Sequence, residues 1–125
     1  MKKNAVNWFE IYVEDFERAK KFYETILDAP MMETEDVGGM KIGIFPFDKD
    51  HGGVGGSIVC SPTMKASPNG TVAYLNAEGN LDGIIARVEK SGGKIVMPRT
   101  GIPPNGFIAL ISDPEGNTVG LHSYK

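Results

Sequence analysis

Asn80 to Gly93 reads NLDGIIARVEKSGG, and this stretch decides the fold. Leu81, Ile84, Ile85 and Val88 recur at helical spacing, and Gly92-Gly93 ends the helix. The same pattern stands about 65 residues earlier: shifted by that amount, Phe16 falls on Leu81, Ala19 on Ile84 and Tyr23 on Val88. The flanking segments agree. VNWFEIYV (Val6–Val13) is rich in strand formers, Asp15 is placed to cap the first helix, and Pro30 lies beyond its end. A weak strand at MMETED (31–36), then MKIGIFPF (40–47) and VGGSIVCS (54–61), complete the first half. The second half gives TVAYLNA (71–77), the helix, KIVMP (94–98), GFIALIS (106–112) and TVGLHSY (118–124). SPTMKASPNG (61–70) between them reads as a surface linker.

Both halves therefore read β-α-β-β-β, and such self-similarity takes precedence over any local assignment. The expected fold class is α+β: two βαβββ modules form a curled eight-stranded mixed sheet around a groove, with one helix per module outside. Residues 1–125 are expected to be a single domain, with repeat halves at about 1–63 and 70–125. The rival architecture is a ferredoxin-like domain, whose βαββαβ order has one strand fewer per half.

The chain has 125 residues and net charge −3, so it lacks the basic footprint expected of a nucleic-acid or anionic-membrane binder. Its one cysteine, Cys60, allows no intrachain disulfide and no CxxC motif. No apolar run follows the two N-terminal lysines, and no stretch has the length of a membrane span. A cytoplasmic protein without a signal peptide is expected.

DPEGN (113–117) is a tight turn between the last two strands, because Pro fixes φ and Gly or Asn accepts positive φ. In the strand after it Thr118, Gly120 and His122 share one face. A glycine in mid-strand marks a close approach by some other group. Either the Trp8 indole or a ligand is expected over Gly120.

WFEIYVEDFERAKKFYETIL, NLDGIIARVEKSGGKIVMP and GFIALISDPEGNTVGLHS together resemble the glyoxalase/bleomycin-resistance/extradiol-dioxygenase superfamily, the vicinal oxygen chelate proteins. WFEI, VGGSIV and GLH resemble its SgaA-type, glyoxalase-like branch. The resemblance implies the fold, a homodimer and, in members that do metal chemistry, four inward-facing ligands. Those positions correspond to Trp8, the neighbourhood of Gly56, Val72 and Gly120. None of these side chains offers the carboxylate, imidazole or thiolate that a divalent metal needs. The expectation is that the metal is lost and no other cofactor replaces it. Sliding the correspondence by two residues brings in Glu10 and His122, too few ligands by themselves.

Trp8, Glu10 and Tyr12 share one face of the first strand, which the resemblance makes the groove face. They form an aromatic wall with one carboxylate, suited to a flat or partly cationic small molecule. The plainer alternative makes the two aromatics core and Glu10 an exposed strand-end residue. His122 is either an acid–base group or a strand-end histidine partly in solvent. Candidate ligand-binding residues are thus Trp8, Glu10, Tyr12, Gly56, Val72, Tyr74, Gly120 and His122, with Glu10 and His122 as catalytic candidates and no metal ligands. His51, in DKDHGG, belongs to a loop with no phosphate-binding signature. The expected function is small-molecule binding by a glyoxalase-like protein, with no nucleic-acid or membrane partner. The alternatives are a metal-dependent lyase, isomerase or dioxygenase of the glyoxalase I kind, and a metal-free enzyme using Glu10 and His122.

Overall fold

The computed structural model describes residues 3–125, with the side chains of residues 33–35 and 37 outside the description. The first module runs β1 (Trp8–Tyr12), α1 (Phe16–Leu27), β2 (Glu33–Val37), β3 (Met40–Ile44) and β4 (Gly55–Cys60). The second runs β5 (Tyr74–Asn76), α2 (Leu81–Val88), β6 (Lys94–Gly101), β7 (Phe107–Ser112) and β8 (Thr118–Ser123). The strand orders are β1-β4-β3-β2 and β5-β8-β7-β6, so the second module repeats the first position by position. In each, the first strand is an edge, parallel to the last. Four strands per module rule out the ferredoxin-like alternative. The eight strands form two hydrogen-bonded sheets of four, and the edges β1 and β5 flank one cleft.

α1 begins where Asp15, in extended conformation, accepts a hydrogen bond from Arg18 N. It ends at Asp28 in the left-handed region, where the cap N–H closes on Glu24 and Thr25 carbonyls. Its buried face is Phe16, Ala19, Phe22, Tyr23 and Ile26, and that of α2 is Leu81, Ile84 and Val88. These stripes join Ile11, Val13, Ile58, Leu75, Ala77, Ala109, Ile111, Val119 and Leu121 in one core shared by both modules. Odd positions of β1 from Phe9 face that core, so Trp8, Glu10 and Tyr12 point away from it.

The turn at residues 113–117 does more than reverse the chain. Asp113, 4 % exposed, accepts from Glu115 N and Asn117 N on Oδ1. Its Oδ2 accepts from Tyr23 Oη of α1 at 2.6 Å and from Asn117 Nδ2 at 2.9 Å. Asn117 Nδ2 also donates to the Tyr12 carbonyl at 2.8 Å, and its Oδ1 accepts from Ser67 N of the linker. Glu115 accepts from the Glu14 and Asp15 amides and from Arg18 Nε. The second module's turn is thus bolted to β1, to the start of α1 and to the linker.

Candidate functional site

The cleft between β1 and β5 has a volume of about 990 Å³. Trp8 and Tyr74 both line it and remain 42 % and 47 % exposed, unusual for aromatic side chains not waiting for a partner. Each stands at the start of its module's first strand. Trp8 is in register with Gly55 on β4, and Tyr74 with Gly120 on β8. Gly120 is a glycine because the Tyr74 ring lies against it: a Cβ there would stand 2.3 Å from Tyr74 Cδ1. At Gly55 a Cβ would stand 2.6 Å from the Phe47 ring, which in turn meets Trp8 edge-on at a centroid distance of 5.8 Å. Each module therefore offers the cleft a half-exposed aromatic ring; Gly55 also lines the cleft, whereas Gly120 is covered by the Tyr74 ring.

Glu10 and Tyr12 follow Trp8 on the same face of β1 and also line the cleft. Tyr12 Oη donates to Glu10 Oε1 at 2.9 Å, leaving Oε2 open to a ligand among the described residues. That bond is lost if the phenol ionises, and a phenolate would face the carboxylate charge. Both effects, with some burial, raise the Tyr12 pKa above its ordinary value. Polar groups of the linker complete one wall: Lys65, Ser67, Asn69 and Thr71.

Some expected positions line the cleft and others do not. Gly56 lines the cleft with its backbone, while its missing Cβ would point into the Phe9 ring, which packs on the core. The parallel register puts Gly55, one residue earlier, beside Trp8 instead. Val72 lines the cleft from just ahead of β5. Gly120 is covered by Tyr74, its own strand neighbour, and not by Trp8. His122 does not meet Glu10. It lines a separate depression, where its Nε2 donates to the Asn105 carbonyl at 2.7 Å and its ring meets Tyr124 edge-on. His51 is the last residue of a 3₁₀ turn, Lys49–His51, with its Nδ1 2.8 Å from the Asp48 carboxylate, well exposed and outside the cleft.

Sequence reasoning read the linker as a surface segment and did not name its individual cleft-lining residues. The linker carries no periodic signal.

The donor set for a divalent metal is poor. Among the described residues no three His, Cys, Asp or Glu side chains come together to hold an ion. At Gly120, where the resemblance implies a carboxylate, the space for any side chain is taken by Tyr74. The described residues do not fit the metal. Among the described residues no helix is long and apolar enough to cross a membrane.

Comparison with known proteins agrees with the repeat. The chain is 27 % identical over 123 residues to the "Putative glyoxylase CFP32" of Mycobacterium tuberculosis, covering 96 % of this chain and 46 % of that one. It thus spans about half the length of the curated relatives it matches. A glyoxalase I mutant from Zea mays superposes with a TM-score of 0.71 at 22 % identity, over 94 % of this chain and 45 % of that one. A glyoxalase-related enzyme from Fulvimarina pelagi gives 0.70 at 14 % identity, over 96 % and 88 %. At these identities the structures speak for the fold alone. The family model of the Glyoxalase/Bleomycin resistance protein/Dioxygenase superfamily matches residues 5–121. With the two βαβββ modules and their shared cleft, that match makes the chain a member of the superfamily.

Proposed function

We propose that this chain binds a flat, partly cationic small molecule in the cleft between its modules and does so without a divalent metal. The observation that carries the reading is the pair of half-exposed rings, Trp8 and Tyr74, lining one cleft together with the Glu10 carboxylate. A planar ligand gains about 0.5–1.5 kcal/mol from each well-placed aromatic partner beyond simple burial. A positive charge on it gains from the ring faces and from Glu10 Oε2. The cleft volume suits a drug-sized molecule. Glu10 and His122 line different cavities, so no acid–base pair is assigned and no chemical step is written.

The test is calorimetric titration with N-methylquinolinium, neutral quinoline and 1-naphthoate, each with and without a chelator. The reading expects the cation to bind tightest, the carboxylate weakest, and the chelator to change nothing. Equal binding of all three, or binding only after zinc, nickel or manganese is added, overturns it.

A further inference from the structure

A second depression, of about 560 Å³, is lined by Asn76, His122, Ile102, Ile108 and the rings of Tyr74 and Tyr124. Neither Trp8 nor Glu10 reaches it. We propose that it is a binding site for a planar group carrying an N–H beside a C=O, as in a lactam or cyclic imide.

The argument rests on which atoms are already used. Asn76 and His122 are register partners on the parallel strands β5 and β8, so their side chains stand side by side about 4.8 Å apart on one face. Glu78 N–H donates to Asn76 Oδ1 at 2.9 Å. An amide N–H can only donate, so the atom it faces is the oxygen and the amide orientation is fixed. Asn76 Nδ2 is left with two hydrogens and, among the described residues, no acceptor. His122 Nε2 lies 2.7 Å from the Asn105 carbonyl, which can only accept. The proton is therefore on Nε2, and in the neutral ring Nδ1 keeps a bare lone pair. The depression thus offers one donor group and one acceptor on adjacent strands, the complement of a cis-amide edge.

The surroundings favour a flat group. Ile102 and Ile108 are apolar walls, and Tyr74 and Tyr124 are 47 % and 67 % exposed. The ring of His122 is held from two sides, by the Asn105 carbonyl and by Tyr124 at a centroid distance of 4.6 Å. Such preorganisation limits what binding must order. The site stands independently of the cleft reading, since it shares only the β5 segment Tyr74–Asn76 with the cleft.

The experiment is NMR titration of the full chain with 2-quinolone and with N-methyl-2-quinolone, which lacks the N–H. The expected dissociation constant for 2-quinolone is on the order of 1 mM, the level a fragment of this size reaches. Shifts should centre on the Asn76 side-chain amide, the His122 ring, Ile102 and Ile108. N-methylation should weaken binding about tenfold, and so should Asn76→Asp, which keeps the acceptor used by Glu78 N but removes the donor. The proposal is overturned if the two probes bind alike, if Asn76→Asp binds as well as the parent, or if the shifts fall only around Trp8 or nowhere.

Discussion

Replacing Tyr23 with Phe removes one oxygen from a fully buried ring and nothing else. That oxygen donates one of four hydrogen bonds received by the buried Asp113 carboxylate, the others coming from Glu115 N, Asn117 N and Asn117 Nδ2. Hydrogen bonds to charged groups contribute about 1.5–3 kcal/mol. The variant should lose about 2 kcal/mol in urea unfolding at pH 7, with an unchanged denaturant slope. The alkaline limb gives a second, sharper check. Burial, and then the neighbouring Asp113 carboxylate, push the Tyr23 pKa well above its ordinary value of 10.0. The native state therefore keeps this proton where the unfolded chain releases it, and stability from Tyr23 falls as pH rises above 10. The gap between parent and variant should be constant from pH 7 to 9 and then close by about 1.4 kcal/mol per pH unit. A variant within 0.5 kcal/mol of the parent at pH 7, or a gap that stays level to pH 11, refutes the role given to this bond.

Three further outcomes follow from the same geometry. Gly120→Ala should destabilise the fold by about 1–2 kcal/mol, because the Tyr74 ring must leave its seat; adding Tyr74→Ala should recover most of that loss in a double-mutant cycle. Glu10→Gln should weaken N-methylquinolinium binding about three- to fivefold in calorimetry, as befits an exposed charge contact, and leave quinoline unaffected. The same Glu10→Gln change should lower the Tyr12 pKa toward its ordinary value, followed by ultraviolet difference titration, since the carboxylate raises it.

The repeat was legible because it rests on spacing. Phe16, Ala19 and Tyr23 against Leu81, Ile84 and Val88 required no tertiary information, and all six are buried in the shared core. That Trp8, Glu10 and Tyr12 share a face of β1 followed from strand alternation, and the resemblance made that face the groove; Ile11 and Val13 on the other face are in the core. Register was not legible. Gly55 and Gly56 are adjacent, and a slip of one residue exchanges the two faces of a strand; only the pairing Trp8–Gly55 resolves it. Val72 lines the cleft from ahead of β5, which is three residues long and starts later than its β-rich sequence implies. DPEGN was recognised as a turn from its local chemistry. Its second role, with Asp113 meeting Tyr23 and Asn117 meeting Tyr12 and Ser67, joins residues 50 to 105 positions apart and carries no local sequence signal.

Trp8 is the only tryptophan in the chain, so its emission reports on the cleft alone. The most direct measurement is a titration of that emission with N-methylquinolinium in buffer freed of divalent ions by chelator. Saturable quenching at one ligand per chain, weakened by Tyr74→Ala, is the predicted result. Quenching that never saturates, or saturation that appears only when a divalent ion is restored, contradicts a metal-free aromatic cleft.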